Sequence, residues 1–171
     1  MIRIKPIDQM PNFPFKTLSG VPWPNADTPN KRFSMLVFYR GIQCSYCEKY
    51  IKTLQQWLPE FQQRNVEVIA ISADSLDRAE QSQREWQVKD LELGYELDIE
   101  SARLLGLYVS TAIREAEMEY FCEPGIFLIS PDNTLFTAWI QAYPHARPHF
   151  EEIIGCIDFI EQYKRPPRGN A

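Results

Sequence analysis

Apolar residues along this chain follow two rhythms. Ser34-Met35-Leu36-Val37-Phe38-Tyr39 and the run Val66 to Ile71 are largely apolar and short, and each ends in turn-forming residues, Arg40-Gly41 after the first and Ser72-Ala73-Asp74 after the second. Both read as buried strands. Between them Cys47, Tyr50, Ile51, Leu54, Leu58 and Phe61 recur at steps of three and four, while Glu48, Lys52, Gln55, Gln56 and Gln63 fill the other positions. That spacing predicts a helix with one apolar face. Strand, helix and strand in about forty residues form a βαβ unit, which implies a parallel pair joined by a right-handed crossover.

Downstream, Asp74 or Ser75 is placed to cap a second helix reaching about Val88, with Glu80 and Arg84 four residues apart. A short strand at Tyr95-Glu96-Leu97 and a short helix from Ser101 to Leu107 follow, and the stretch from Tyr108 to Glu123 reads as an inserted loop or a broken helix. Gly125 to Ser130 and Leu135 to Ile140 are strands around the Pro131-Asp132-Asn133 turn, which makes a hairpin. The last helix runs from about Pro148 to Tyr163, with Phe150, Ile153, Ile154, Ile157 and Ile160 inward. The expected fold is α/β, a mixed sheet with a parallel part and an antiparallel hairpin, flanked by helices. Residues 1–32, with prolines at 6, 11, 14, 22, 24 and 29, are expected to wrap the edge of the domain as loop, with a short hairpin around Phe15 to Leu18 turning at Gly20. The domain proper is 33–163, and 164–171 is a short Pro/Gly/Arg-rich tail.

Composition narrows the function classes. A chain of 171 residues, 44% hydrophobic and 24% charged, can bury one substantial core. Its formal charge of -5 gives no support for a nucleic-acid or anionic-membrane partner. Met1 to Gln9 lacks the apolar stretch of a signal peptide, and no run approaches the roughly eighteen apolar residues of a membrane helix. The expectation is a soluble, cytoplasmic protein.

Four cysteines do not make a disulfide framework in a chain of this size. Cys44 and Cys47, however, form a C-x-x-C pair at the junction of the first strand and the first long helix. Free N–H groups and the helix dipole there favour a thiolate, so Cys44 is expected to titrate below the ordinary value of about 8.5, more so if Arg40 folds over the sulfur. Cys47 lies one turn on and begins the apolar face. The asymmetry suits a nucleophile, Cys44, and a sheltered resolving thiol, Cys47. A zinc site is the rival use of the pair, because His145 and His149 are four apart and could complete a Cys2His2 set. Against it stand the long separation and a core large enough to fold without metal, so no metal and no cofactor is expected. Cys156 reads as a structural thiol. Cys122, just before Glu123-Pro124, reads as a passive loop residue that could alternatively meet Cys44. Arg147 and Arg168 read as solvated.

With these residues in view, the chain resembles the thioredoxin-like superfamily, and within it the peroxiredoxin-like redoxin proteins related to alkyl hydroperoxide reductase and thiol-specific antioxidant. The resemblance runs from about Phe33 to Gly169. It rests on Val37-Phe38-Tyr39-Arg40-Gly41-Ile42-Gln43-Cys44-Ser45-Tyr46-Cys47, on Val66 to Asp74, on Glu123 to Asp132, and on Pro144-His145-Ala146-Arg147-Pro148-His149-Phe150 with Pro167-Arg168-Gly169. It implies a thioredoxin-like fold, a cis bond before Pro124 beside the active site, and a redox enzyme. Peroxidatic members place a hydroxyl residue three before the attacking cysteine and a proline seven before it; here those positions hold Gly41 and Val37. They also supply an arginine where Pro124 stands. Thioredoxins bury an acid six before the first cysteine, and here that residue is Phe38.

The expected function is therefore thiol-disulfide oxidoreduction through Cys44 and Cys47, with Arg40 and Pro124 completing the site. The alternatives are a thiol-dependent peroxidase and a non-catalytic redox-sensing or interaction domain. Expected partners are a protein or small-molecule disulfide or a hydroperoxide, with an external thiol reductant; a homodimer is compatible with this reading.

Overall fold

The structure, a computed structural model, describes residues 4–24 and 30–171. A six-stranded sheet has the order β1-β4-β3-β2-β7-β8, built from β1 (Lys16–Thr17), β2 (Phe33–Phe38), β3 (Val66–Ile71), β4 (Glu92–Tyr95), β7 (Gly125–Ile129) and β8 (Leu135–Ile140). The strands β2, β3 and β4 are parallel, and β7 joins β2 antiparallel. The β7/β8 pair is the expected hairpin. Helix α1 (Ser45–Gln63) makes the crossover between β2 and β3, and α2 (Leu76–Trp86) that between β3 and β4. This is a thioredoxin-like mixed sheet.

Alternation along β2 divides the core. Phe33, Met35 and Val37 point to one face with Cys44, Cys47, the inner stripe of α1, and Ile153, Ile157 and Ile160 of α4 (Phe150–Tyr163). Leu36 and Phe38 point to the other, against Ile69, Ile71, Phe127 and Leu105. A strand buried on both sides cannot show a polar alternation, which is why its sequence reads as a continuous apolar run.

The sheet is flanked by helices on both sides, as expected, but the cover on the second face is slighter: α3 (Ile99–Leu104), a two-stranded hairpin of β5 (Val109–Thr111) and β6 (Tyr120–Cys122), and part of the amino-terminal segment. The hairpin replaces the inserted loop or broken helix expected at 108–123. Its strands are three residues each, too short for a period of two to register.

Two strand assignments also move. Lys16–Thr17 pairs with β4 across the sheet edge instead of folding into its own hairpin, although the turn closes near Gly20 as expected, with Gly20 N–H donating to the Thr17 carbonyl at 3.1 Å. The strand expected at 95–97 ends at Tyr95 because Glu96 takes a positive φ of 54°.

The amino-terminal segment returns along β8: Ile7 N–H donates to the Leu135 carbonyl and Met10 N–H to that of Asn133. Phe13 stacks on Phe15 and meets the edge of Phe38. Of its six prolines, Pro29 lies outside the described residues. No described helix is long and apolar enough to cross a membrane.

Candidate active site

The loop between β2 and α1 is fixed by a buried carboxylate, Asp74, which the sequence offers only as a candidate helix cap. Asp74 is fully buried and accepts the Ile42 N–H at 2.8 Å and the Arg78 Nε–H at 2.7 Å. Arg78 also reaches the Gln43 side-chain oxygen at 2.5 Å, and the Gln43 amide donates to the Arg40 carbonyl at 2.9 Å. Gly41 sits at φ +123°, and a Cβ built there would stand 2.7 Å from an Asp74 oxygen, so this position requires glycine on both counts.

Cys44 caps α1 in extended conformation, with its N–H on the Gly41 carbonyl and its carbonyl taking the Glu48 N–H. Its sulfur accepts the Cys47 N–H at 3.1 Å and is disulfide-bonded to Cys47, the Cα atoms 5.1 Å apart. The expected convergence of the two cysteines at a helix start is thus present. The shelter expected of Cys47 extends to Cys44 as well, which is 4% exposed against 0% for Cys47 and belongs to the same core cluster as Val37 and Tyr39.

Arg147, read as solvated, is partly buried and is the basic residue at the sulfurs. Its guanidinium donates to Cys47 Sγ at 2.9 Å and to the Tyr46 carbonyl at 3.4 Å, and it lies 4.8 Å over the Tyr50 ring. Tyr50 in turn donates its hydroxyl to the Pro148 carbonyl at 2.6 Å, which ties the segment before α4 to α1. Burial pushes Arg147 down to about 10 and raises the Tyr50 hydroxyl. The signal in the sequence was the Pro144 to Phe150 stretch itself; nothing in its spacing said that it folds back over α1.

Arg40 does not turn over the sulfur. Its described contacts are Glu117 at 3.6 Å, Glu123 at 3.5 Å and the Phe121 ring at 4.8 Å, because β5 and β6 bring two buried carboxylates to it. Glu123 also accepts the Ser110 hydroxyl at 2.7 Å. Glu117 is held below the usual carboxylate range by the Ile113 N–H first and by Arg114 next, against the opposing effect of burial.

The bond before Pro124 is trans; the cis bond among the described residues precedes Pro24. Glu123 N–H bonds the Tyr108 carbonyl and the Pro124 carbonyl takes the Gln141 N–H, so the backbone runs extended into β7 with no turn to favour cis.

The remaining candidates separate from the site. Cys122 lies in the opposite layer, its thiol on the Tyr39 carbonyl at 3.5 Å and pushed up to about 12 by burial, so it does not meet Cys44. Cys156 is partly buried and raised by burial too. His145 packs on Tyr46 with ring centres 4.0 Å apart, and His149 caps α4. No group of three or more metal-ligating side chains occurs among the described residues.

A family model described as AhpC/TSA family matches residues 6–137. No curated protein matches the sequence. Among solved structures, the chain is similar to a cysteine-to-serine mutant of peroxiredoxin 6 from Arenicola marina, at 20% identity over 95% of this chain and 76% of that one, with a TM-score of 0.73. It is also similar to reduced Prx3 in complex with hydrogen peroxide from Vibrio vulnificus, at 13% identity over 90% and 99% of the two chains, TM-score 0.73. A third is peroxidoxin BcpB from Mycobacterium tuberculosis, at 17% identity over 92% and 99%, TM-score 0.70. At these identities the structures establish the fold.

Proposed function

Since the chain belongs to the AhpC/TSA family, enzymes of thiol-dependent peroxidase type, we propose that its redox centre is the Cys44/Cys47 dithiol, working as a thiol-disulfide oxidoreductase. The observation that carries the reading is the disulfide closed within one turn at the start of α1. Cys44 is the nucleophile. Its sulfur takes the Cys47 N–H and sits at the positive end of a long helix, which favours the thiolate, and it is the slightly more exposed of the two.

In the forward cycle the Cys44 thiolate attacks a disulfide, forming a mixed disulfide and releasing one thiolate. Cys47 then attacks Cys44 Sγ, releases the second thiolate and closes the intramolecular bond, so two electrons leave the protein. An external thiol returns them. Arg40 and Pro124 serve this cycle from the frame: Arg40 pins the start of the active loop to the β5/β6 hairpin through Glu117 and Glu123, and Pro124 opens the strand beside it.

Family membership favours a second electrophile, a hydroperoxide. Cys44 would become a sulfenic acid as water or an alcohol departs, and Cys47 would condense with it. Gly41, Val37 and Pro124 supply none of the side-chain donors that the resemblance associates with peroxide binding. Rapid-mixing kinetics with a model disulfide and with peroxide, on the unchanged protein and on Cys44→Ser and Cys47→Ser, separate the two. The reading expects fast disulfide reduction that is lost in Cys44→Ser; disulfide reduction equally fast without Cys44 sinks it.

A further inference from the structure

We propose that Arg147 is a catalytic residue that holds Cys47 as a thiolate, and so directs an external thiol to attack the disulfide at Cys44. The inference deepens the dithiol reading and rests on it.

The first ground is contact. Arg147 donates to Cys47 Sγ at 2.9 Å, a distance suited to a charge-assisted bond once the sulfur is anionic. The second is an imbalance of charge. Arg40, Arg64, Arg78 and Arg114 each meet a carboxylate. Arg147 has no carboxylate partner among the described ion pairs, although it is partly buried and its charge is disfavoured by burial. A cation withdrawn from water calls for an anion, and the disulfide gives it only a neutral sulfur. Reduction creates the missing anion at the contacted atom.

The third ground is what the site lacks. Phe38 stands where a proton-relaying acid would be expected, and its ring lies in the opposite layer, so no carboxylate from that position serves Cys47. The ionisable and charged groups around the contact are Tyr50 and Lys49 of α1, His145 beside Tyr46, His149 and Glu151 along the same cleft, and the more distant Glu123 and Arg40, which act on Arg147 in opposite directions. None of them touches Cys47 in the described contacts. With Arg147 in place, Cys47 needs no base to give up a proton at the moment of resolution.

The same contact sets the direction of re-reduction. A thiolate RS⁻ attacks Cys44 Sγ, the Cys44–Cys47 bond breaks, and the electron pair leaves on Cys47 Sγ against the guanidinium. A second RS⁻ attacks the outer sulfur of the Cys44–SR bond, giving RSSR and the Cys44 thiolate. Two electrons enter, and the better leaving group is the cysteine beside the cation.

The test is the ultraviolet thiolate titration of Cys47 in the full chain carrying Cys44→Ser, read as the difference from Cys44→Ser/Cys47→Ser so that Cys122 and Cys156 cancel. Cys47 is expected to ionise below the ordinary thiol value of about 8.5. Adding Arg147→Gln should lower its thiolate population at least about tenfold at pH 7, while Arg147→Lys keeps most of it. With Cys44 restored, Arg147→Gln should move the equilibrium with a reference dithiol about tenfold toward the disulfide, near 30 mV. An unchanged titration in Arg147→Gln overturns the proposal. If that variant does not fold, an ordinary or raised value in Cys44→Ser itself overturns it equally. Neither result depends on turnover, so failure here is distinct from failure of the dithiol reading, which shows as no oxidation by disulfide or peroxide.

Discussion

Gly41 joins backbone and site at a single position. Any side chain there would have to adopt φ near +123° and would press on the Asp74 carboxylate that holds Ile42 and Arg78. Gly41→Ala should therefore lower stability by about 1–3 kcal/mol in urea unfolding and slow the reaction of Cys44 with a disulfide as the loop shifts. Glu117 makes a separate prediction about pH. Its folded value is depressed, chiefly by the Ile113 N–H, so its contribution is present above the unfolded value of about 4.3 and is lost as pH falls through the lower folded value. Unfolding midpoints measured from pH 6 to pH 3 should fall more steeply for the unchanged protein than for Glu117→Gln. At this scale the sequence disclosed the two cysteines, because a C-x-x-C spacing after a strand is local. It did not disclose Asp74, Arg78 or Arg147, whose roles depend on partners 32, 35 and 100 residues away. The carboxylate partners of Arg40 were not legible for the same reason, since they come from a hairpin with no legible pattern.

The elements that carry the site were legible where packing repeats along the chain. The stripe of α1, the run of β3 and the inner face of α4 all appear in the sequence within a few residues of their observed bounds. Short elements were not: β4 shifted, and β5 and β6 were missed, because three or four residues cannot express a period. Helix α2 ends at Gln87 in the left-handed region, φ 56°, with an exposed side chain. Glycine meets that conformation without a Cβ penalty, so Gln87→Gly should raise stability by up to about 1 kcal/mol while leaving the Gln55 bond to the Gln87 carbonyl in place. A thermal midpoint that falls would contradict the assignment.

Across the whole molecule the sheet separates chemistry from support. Both sulfurs of the pair lie with α1 and α4, whereas Cys122, the β5/β6 hairpin and the amino-terminal aromatic residues lie behind the sheet. Phe15→Ala, in that rear layer, should cost about 1–3 kcal/mol of stability, less than a fully buried phenylalanine, with Cys44 reactivity per folded molecule unchanged. Composition does not show this division, since both layers draw on the same apolar residue types. The central claim concerns which sulfur attacks, and intact-mass analysis after brief exposure to a model disulfide tests it most directly. Cys47→Ser should accumulate a mixed disulfide on Cys44, while Cys44→Ser should remain unmodified over the same interval; an adduct on Cys47 of Cys44→Ser, formed as fast as that on Cys44, would contradict the account.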